Sequence, residues 1–379
     1  MKNGQHARRT RHAPHASAVH ASGSSAPAAL AHAPHTPWPH TARIGVALAA
    51  IVTVVTIAFL WPSFTASAKN LPIGVAGPAA QVSAVEAALD KASPDTFAFT
   101  GVSGRAAAVS RIDERKDYGA IVLGSAPEVL TASAANPTVA GLLADLAPRL
   151  QEQRAAAAAE AHLPVTAVGT VRTTDVAPLL AADPRGSTVG ASSLPLVIGG
   201  ILGGAIIALT VVGVWRRFIA LGVYSIAGAA AITGVLQGWF GGLDHDYFVN
   251  AAAIALVLLG IGGVMLGLAA LVGRAGIAIG PVLFLLGANP ISAAALPVEF
   301  LASPWGAVGQ WFPPGAGATL LRNLSYFPSA DLVFPWLVLA GWAVLGLVLS
   351  TLGHFRNTGA ATRSAELEAG VAEPAVVAA

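Results

Sequence analysis

The chain contains no cysteine. Disulfide staples and thiolate metal or redox chemistry are therefore excluded, and any domain held outside the cell must fold without cross-links. Charge is nearly as scarce. Asp, Glu, Lys and Arg make up 11% of the 379 residues, where a soluble chain carries about 25%. With 55% apolar residues, that deficit points to an integral membrane protein. Motifs of hydrolytic and nucleotide chemistry are missing too. There is no G-x-x-x-x-G-K-[ST], no G-x-S-x-G and no H-E-x-x-H, so the chain cannot hydrolyse ATP through a P-loop. Ser192-Ser193 has no histidine nearby in sequence and His162 stands alone. No cofactor and no enzymatic activity are expected. The small net charge of +2 comes from arginines beside apolar runs, where they set topology and need not bind nucleic acid.

Long uncharged runs are what the chain has instead. From Leu194 to Trp215 about 22 residues carry no charge, enough to cross a hydrocarbon core of roughly 30 Å as a helix. Trp215, Arg216 and Arg217 close this run, and an aromatic followed by paired arginines marks a cytoplasmic end. The same run carries Gly199, Gly200, Gly203 and Gly204, two overlapping G-x-x-x-G pairs on one helix face, which predicts a close helix–helix contact.

Further spans are expected at Ile44–Trp61, Phe218–Phe240, Val249–Val272, Ala275–Ala288 and Leu332–Leu352. Ala66-Ser67-Ala68 also fits a signal-peptidase site, but the apolar run before it is longer than a signal peptide's and the tail before that is too long, so an uncleaved anchor is expected. Six spans put both termini in the cytoplasm of the cell, with Arg43, Arg216, Arg217, Arg274 and Arg356 all on the inner side. None of the spans has an ionisable residue in its middle, which disfavours an ion-driven carrier.

Between these runs the composition changes. Residues 1–43, with His6, His12, His15, His20, His32, His35 and His40 among Pro, Ala and Ser, cannot bury enough apolar surface to fold and read as a disordered cytoplasmic tail. Their irregular spacing fixes no metal geometry. Residues 63–193 are richer in charge and read as an extracytoplasmic α/β domain. Strands are expected at Leu71–Ala76, Thr96–Val102, Tyr118–Gly124 and Val165–Val171, with helices at Ala79–Ala92, Ala106–Lys116 and Pro137–His162. The mixed-sign run Asp113–Asp117 reads as a solvated helix end. Asp244, His245 and Asp246 read as a cap for the next helix. Residues 290–331 are too broken by proline to span and too apolar for a plain loop. They predict a re-entrant hairpin of two short helices, near Ile291–Leu301 and Ala316–Tyr326. Residues 354–379 form a cytoplasmic tail. The expected architecture is thus a six-span helical bundle, residues 194–353 holding five of the spans, with an α/β domain inserted between spans one and two.

This layout resembles the ABC-2 type transporter permeases, and in particular the YhgE/Pip-like membrane proteins. Tyr118–Leu123 with Ala126-Pro127-Glu128, Val176–Leu179 with Asp183-Pro184-Arg185-Gly186, and Asn289-Pro290, Pro313-Pro314-Gly315 and Arg322 carry the likeness. The resemblance implies a permease subunit of an ATP-driven exporter in contact with membrane lipid, served by a separate ATP-binding subunit and working as a homodimer. It departs from the pattern at Arg216-Arg217, which leave almost no loop for a cytoplasmic coupling helix. The alternative is a non-transporting envelope protein whose external domain binds a partner or the cell wall.

Overall fold

The computed structural model describes residues 37–162 and 169–376. Nearly all of the expected tail and half of the expected strand Val165–Val171 lie outside the described residues. The chain divides at Val52 into two compact units. Helix α1 (Trp38–Thr65) crosses that division. Up to Val52 it is exposed along its whole length, with Val46, Leu48 and Ile51 open. It starts at Trp38, so Thr41–Arg43 are helical and not tail. A helical stretch that is apolar and exposed all round suits lipid.

From Thr53 onward the chain forms one unit with two cores. The first is a five-stranded sheet in the order β2–β1–β3–β4–β5. Its strands are β1 (Leu71–Ala76), β2 (Phe97–Gly101), β3 (Gly119–Val122), β4 (Glu128–Thr131) and β5 (Arg172–Asp175). All neighbours are parallel except β3 and β4. Helices α2 (Ala79–Ala92), α3 (Arg105–Asp113), α4 (Pro137–Ala144) and α5 (Leu146–Glu160) supply the crossovers. Leu71 and Ile73 of β1 are fully buried, as are Ala108 and Ile112 of α3. The single long helix expected over Pro137–His162 is two helices. Pro148 has no N–H to return to Ala144, so the first turn of α5 cannot continue α4. Asn136 caps α4 by accepting from the N–H groups of Thr138 and Val139 at 2.9 and 3.2 Å. Strand β4 was not expected. Its Glu128 is held by Arg105 at 2.7 Å and by the Thr174 hydroxyl of β5.

The second core is a helical bundle. Its members are α6 (Thr188–Thr210), α7 (Val214–Thr233, ending in π-helical turns to Trp239), α8 (Tyr247–Val272), α9 (Arg274–Pro281, continued by π-helical turns to Ala288), α10 (Trp305–Gly309), α11 (Pro313–Tyr326) and α12 (Val333–Val376). Among the described residues, five helices are long and apolar enough to cross a membrane: Trp38–Pro62, Thr188–Thr210, Val214–Trp239, Tyr247–Val272 and Val333–Arg356. The stretch Arg274–Ala288 is apolar but shorter. The chain is thus a multi-pass membrane protein by length and composition.

Three boundaries differ from expectation. α6 starts at Thr188 and stops at Thr210, so Trp215, Arg216 and Arg217 open α7 and do not close α6. The break is made by Gly213, in the left-handed region at φ 97°. It is sealed by Arg217, which donates to the carbonyls of Val211 and Ala208 at 2.8 and 2.9 Å, groups that a helix end leaves without partners. The tail from residue 354 is not separate, because α12 runs on to Val376. In place of a first re-entrant helix over Ile291–Leu301 there is a 3₁₀ turn, Val298–Phe300, followed by α10.

α8 is the axis of the bundle, and glycines set the distances around it. Gly200 and Gly204 of α6 lie against Ile261 and Met265. Gly260 faces Trp342 of α12, and Gly263 faces Gly346. Contact positions rise together in both pairs, so α6 and α12 run parallel to α8. α7 and α9 run the other way: Gly262 meets Leu221 and Gly228 meets Leu258, while Gly276 meets Leu268 and Gly280 meets Met265.

Two outcomes test this packing. A Cβ on Gly203 would clash with the ring of Tyr224, whose hydroxyl donates to the Gly199 carbonyl at 2.7 Å. Gly203→Ile should therefore cost about 1–3 kcal/mol and lower the melting temperature in mild detergent. Gly222→Ile, where nothing lies within 4 Å of the added carbon, controls for the same substitution in open space. Equal melting of the two would contradict the contact. In the sheet, Arg105 and Thr174 hold the Glu128 carboxyl below its ordinary value of 4.5 against the opposing effect of its partial burial. A depressed carboxylate stabilises the fold above that value and loses its contribution as the pH falls. The stability gap between the native chain and Glu128→Gln, followed by thermal melts, should shrink below pH 4.5.

Candidate functional site at the junction of sheet and bundle

One helix belongs to both cores. α11 opens with Pro313-Pro314, tolerated where the first N–H groups have no partner, and continues through Gly315, Ala316, Gly317 and Ala318. All six are buried. Small residues are required there: a Cβ on Gly315 would meet the carbonyls of Gly309 and Ser292, and one on Gly317 would come within 2.6 Å of Val257 of α8. Further along, Leu320, Leu321 and Leu324 join the bundle core. Phe327 and Ala330, just beyond the helix, join the core of the sheet.

Polar side chains complete the junction. Arg115, after α3, donates to the Asn323 Oδ1 at 2.7 Å and lies 5.3 Å over the Phe327 ring. Tyr118 donates to Glu299 at 2.7 Å. Arg322 is buried and donates to the Ala294 carbonyl at 2.8 Å. Gln310 donates to the Ser292 carbonyl at 3.1 Å and accepts from Thr319 at 2.6 Å. Burial pushes the Arg115 guanidinium down and the Tyr118 phenol well up, so Tyr118 stays a donor at neutral pH. Arg115, Tyr118, Glu299, Gln310, Thr319 and Asn323 line a cleft of about 390 Å³.

The structure brings part of the sequence-predicted set together. Asn289 and Pro290 open the segment whose carbonyls at Ser292 and Ala294 meet Gly315 and Arg322. The Asn289 Oδ1 accepts from Ser193 of α6 at 3.4 Å. With Pro313 and Pro314 beginning α11, these residues form one packed region. Gly199, Gly200, Gly203 and Gly204 lie deeper, against α7 and α8. The helix directions gather Arg216, Arg217, Arg274 and Arg356 at the bundle end away from the sheet, while Arg43 is exposed on α1.

Other residues were missed. The run Asp113–Asp117 is not simply solvated. Asp117 is buried and takes Arg111 through two bonds, at 2.6 and 2.8 Å, and Arg115 reaches into the junction. Asn250 is fully buried and donates to Gln237 and to the Asp244 carbonyl. Asp246 caps α8, as its position suggested, accepting from Phe248 and Val249. Asp183, in the pre-membrane stretch, is pushed up by burial but held lower overall by the N–H groups of Thr188 and Ser187, which start α6. Among the described residues no group of three or more His, Asp or Glu could hold a metal. The junction offers hydrogen bonds and charge in a cleft.

Compared with known proteins, the chain matches no family model, no curated protein and no solved structure.

The link between the two cores is measurable. Arg115→Ala and Asn323→Ala in a double-mutant cycle should give a coupling of about 1.5–3 kcal/mol, the worth of a hydrogen bond from a charged group. Additive effects on the melting of the whole chain would mean that the bond contributes nothing.

Proposed function

We propose that this chain is the membrane subunit of an ABC-2 type exporter, moving an amphipathic substrate with energy from a separate ATPase. The observation that carries the proposal is the direction of the helices. α6, α8 and α12 run one way and α7 and α9 the other, so the chain must return between the end of α8 and the start of α12. Residues 274–288, about 22 Å long, make most of that return. On this reading the chain makes six passages, with both termini on the arginine-rich side, which is the cytoplasmic side by charge. This is the layout that the likeness to the YhgE/Pip-like proteins implies.

Two features support a subunit that does not transport by ion coupling. The spans carry no ionisable residue at mid-depth, and the bundle interior is filled by glycine-mediated contacts. A substrate path would then run between two copies, along exposed faces such as Ile219, Val223 and Ile226 of α7. One observation favours the alternative of a non-transporting envelope protein. Only Val211–Gly213 separate α6 from α7, leaving no coupling helix, so an ATPase would have to contact helix ends and the extension of α12 beyond Arg356.

Reporter fusions after Ser125, Asp244 and Gly309 should read outside, and fusions after Arg217, Arg274 and Arg356 inside. A fusion after Arg356 that reads outside would show that residues 274–288 do not cross. Affinity purification of the full chain from its native membrane should recover an ATPase with a P-loop. Recovery of none, with export unchanged on deletion, would favour the envelope reading.

A further inference from the structure

A second cavity adjoins the junction cleft. It is a groove of about 370 Å³ along α12, lined by Trp311, Phe334, Leu337, Gly341, Trp342 and Leu345. Every lining side chain is apolar or aromatic. The groove follows α12 from Phe334 to Leu345, roughly 16 Å. Its walls are fixed. The Trp342 indole donates to the Trp311 carbonyl at 2.7 Å, and Trp311 meets Phe334 edge-on at 5.0 Å. Phe334 also lines the polar cleft. An apolar groove in a membrane-crossing helix thus opens, at one aromatic ring, into a hydrogen-bonding cleft beside the sheet.

We propose that the two cavities together hold one membrane phospholipid with a zwitterionic amine head, its acyl chain along α12 and its head in the cleft. The head chemistry follows from the charges there. Glu114 pairs with Lys116, and Asp117 with Arg111. Arg115, Glu299 and Asp331 remain, a cation and two carboxylates none of which has a charged partner in a salt bridge among the described residues. Arg115 suits a phosphate, with the side-chain N–H groups of Asn323 and Gln310 as further donors, and the carboxylates suit an ammonium. An anionic head would bring a further negative charge beside Glu299 and Asp331, whereas a zwitterionic head sets its ammonium against them and its phosphate against Arg115. The inference needs α12 to lie in a membrane; it does not need transport, an ATPase or six passages.

The test uses the full chain in phosphatidylglycerol nanodiscs with trace lipids carrying a photoactivatable acyl chain. A phosphatidylethanolamine probe should label peptides containing Trp311 and Leu337–Leu345, several-fold more than a phosphatidylglycerol probe. Gly341→Phe fills the groove from a position where nothing lies within 4 Å of the added carbon. It should reduce the label about tenfold, while Gly222→Phe, on open space in α7, leaves it unchanged. Leu337→Phe, from an exposed position on the same wall, repeats the loss should Gly341→Phe melt early. Labelling spread evenly over α7 and α12, or indifferent to both fillers, would overturn the site. Equal labelling by the two probes would overturn the head-group assignment.

Discussion

The fold depends on burying α11 from end to end. A helix of this length would ordinarily keep one face in solvent or lipid, but here Pro313 to Leu324 is enclosed, with only Thr319 partly open. Such burial is tolerable because the residues at its start are small or lack an N–H, and because its two buried polar side chains, Arg322 and Asn323, find partners on other elements. Its leucines extend the bundle core and the residues after it extend the sheet core. Each core is therefore incomplete without the other, which is why Thr53 onward forms one compact unit.

The bundle obeys a related constraint. In lipid, helices gain little by hiding leucines from one another, so close backbone approach supplies the contact. α8 meets three of its neighbours through glycines of its own, Gly260, Gly262, Gly263 and Gly267, and α6 brings Gly200 and Gly204 to the same axis. This leaves leucine and isoleucine for the outside. Leu202, Ile206 and Leu209 of α6 and Ile219, Val223 and Ile226 of α7 are exposed, as expected where lipid or another apolar helix is the solvent.

What could be read beforehand followed the strength of the local pattern. Leu71–Ala76 and Ala79–Ala92 have the bounds expected for them. β4 escaped notice because it is four residues long, follows a proline and begins with a glutamate, which only its neighbours Arg105 and Thr174 make acceptable. The glycine pairs of α6 could be seen in the spacing, yet their partners, Tyr224, Ile261 and Met265, could not. The end of α6 was misplaced because Arg216 and Arg217 look like a terminal flank, whereas Arg217 folds back to cap the helix before it. The junction was the least legible part. Arg115 and Asn323 stand 208 residues apart, and a charged run such as Asp113–Asp117 reads as surface until tertiary structure brings something to cover it. The prolines around Arg322 could be read as breaking any span, but not as the start of a buried helix.

Hydrogen exchange on the full chain in nanodiscs tests the central role of α11 most directly. If one helix completes both cores, the amides of Ala316–Leu324, of β1 and β3, and of the α8 segment around Val257 should open with one common free energy. Asn323→Ala should then lower protection in the sheet and in α11 alike. Sheet amides that exchange early while α11 stays protected, or a variant that loosens one core and leaves the other untouched, would contradict this account and make the sheet layer a separate unit.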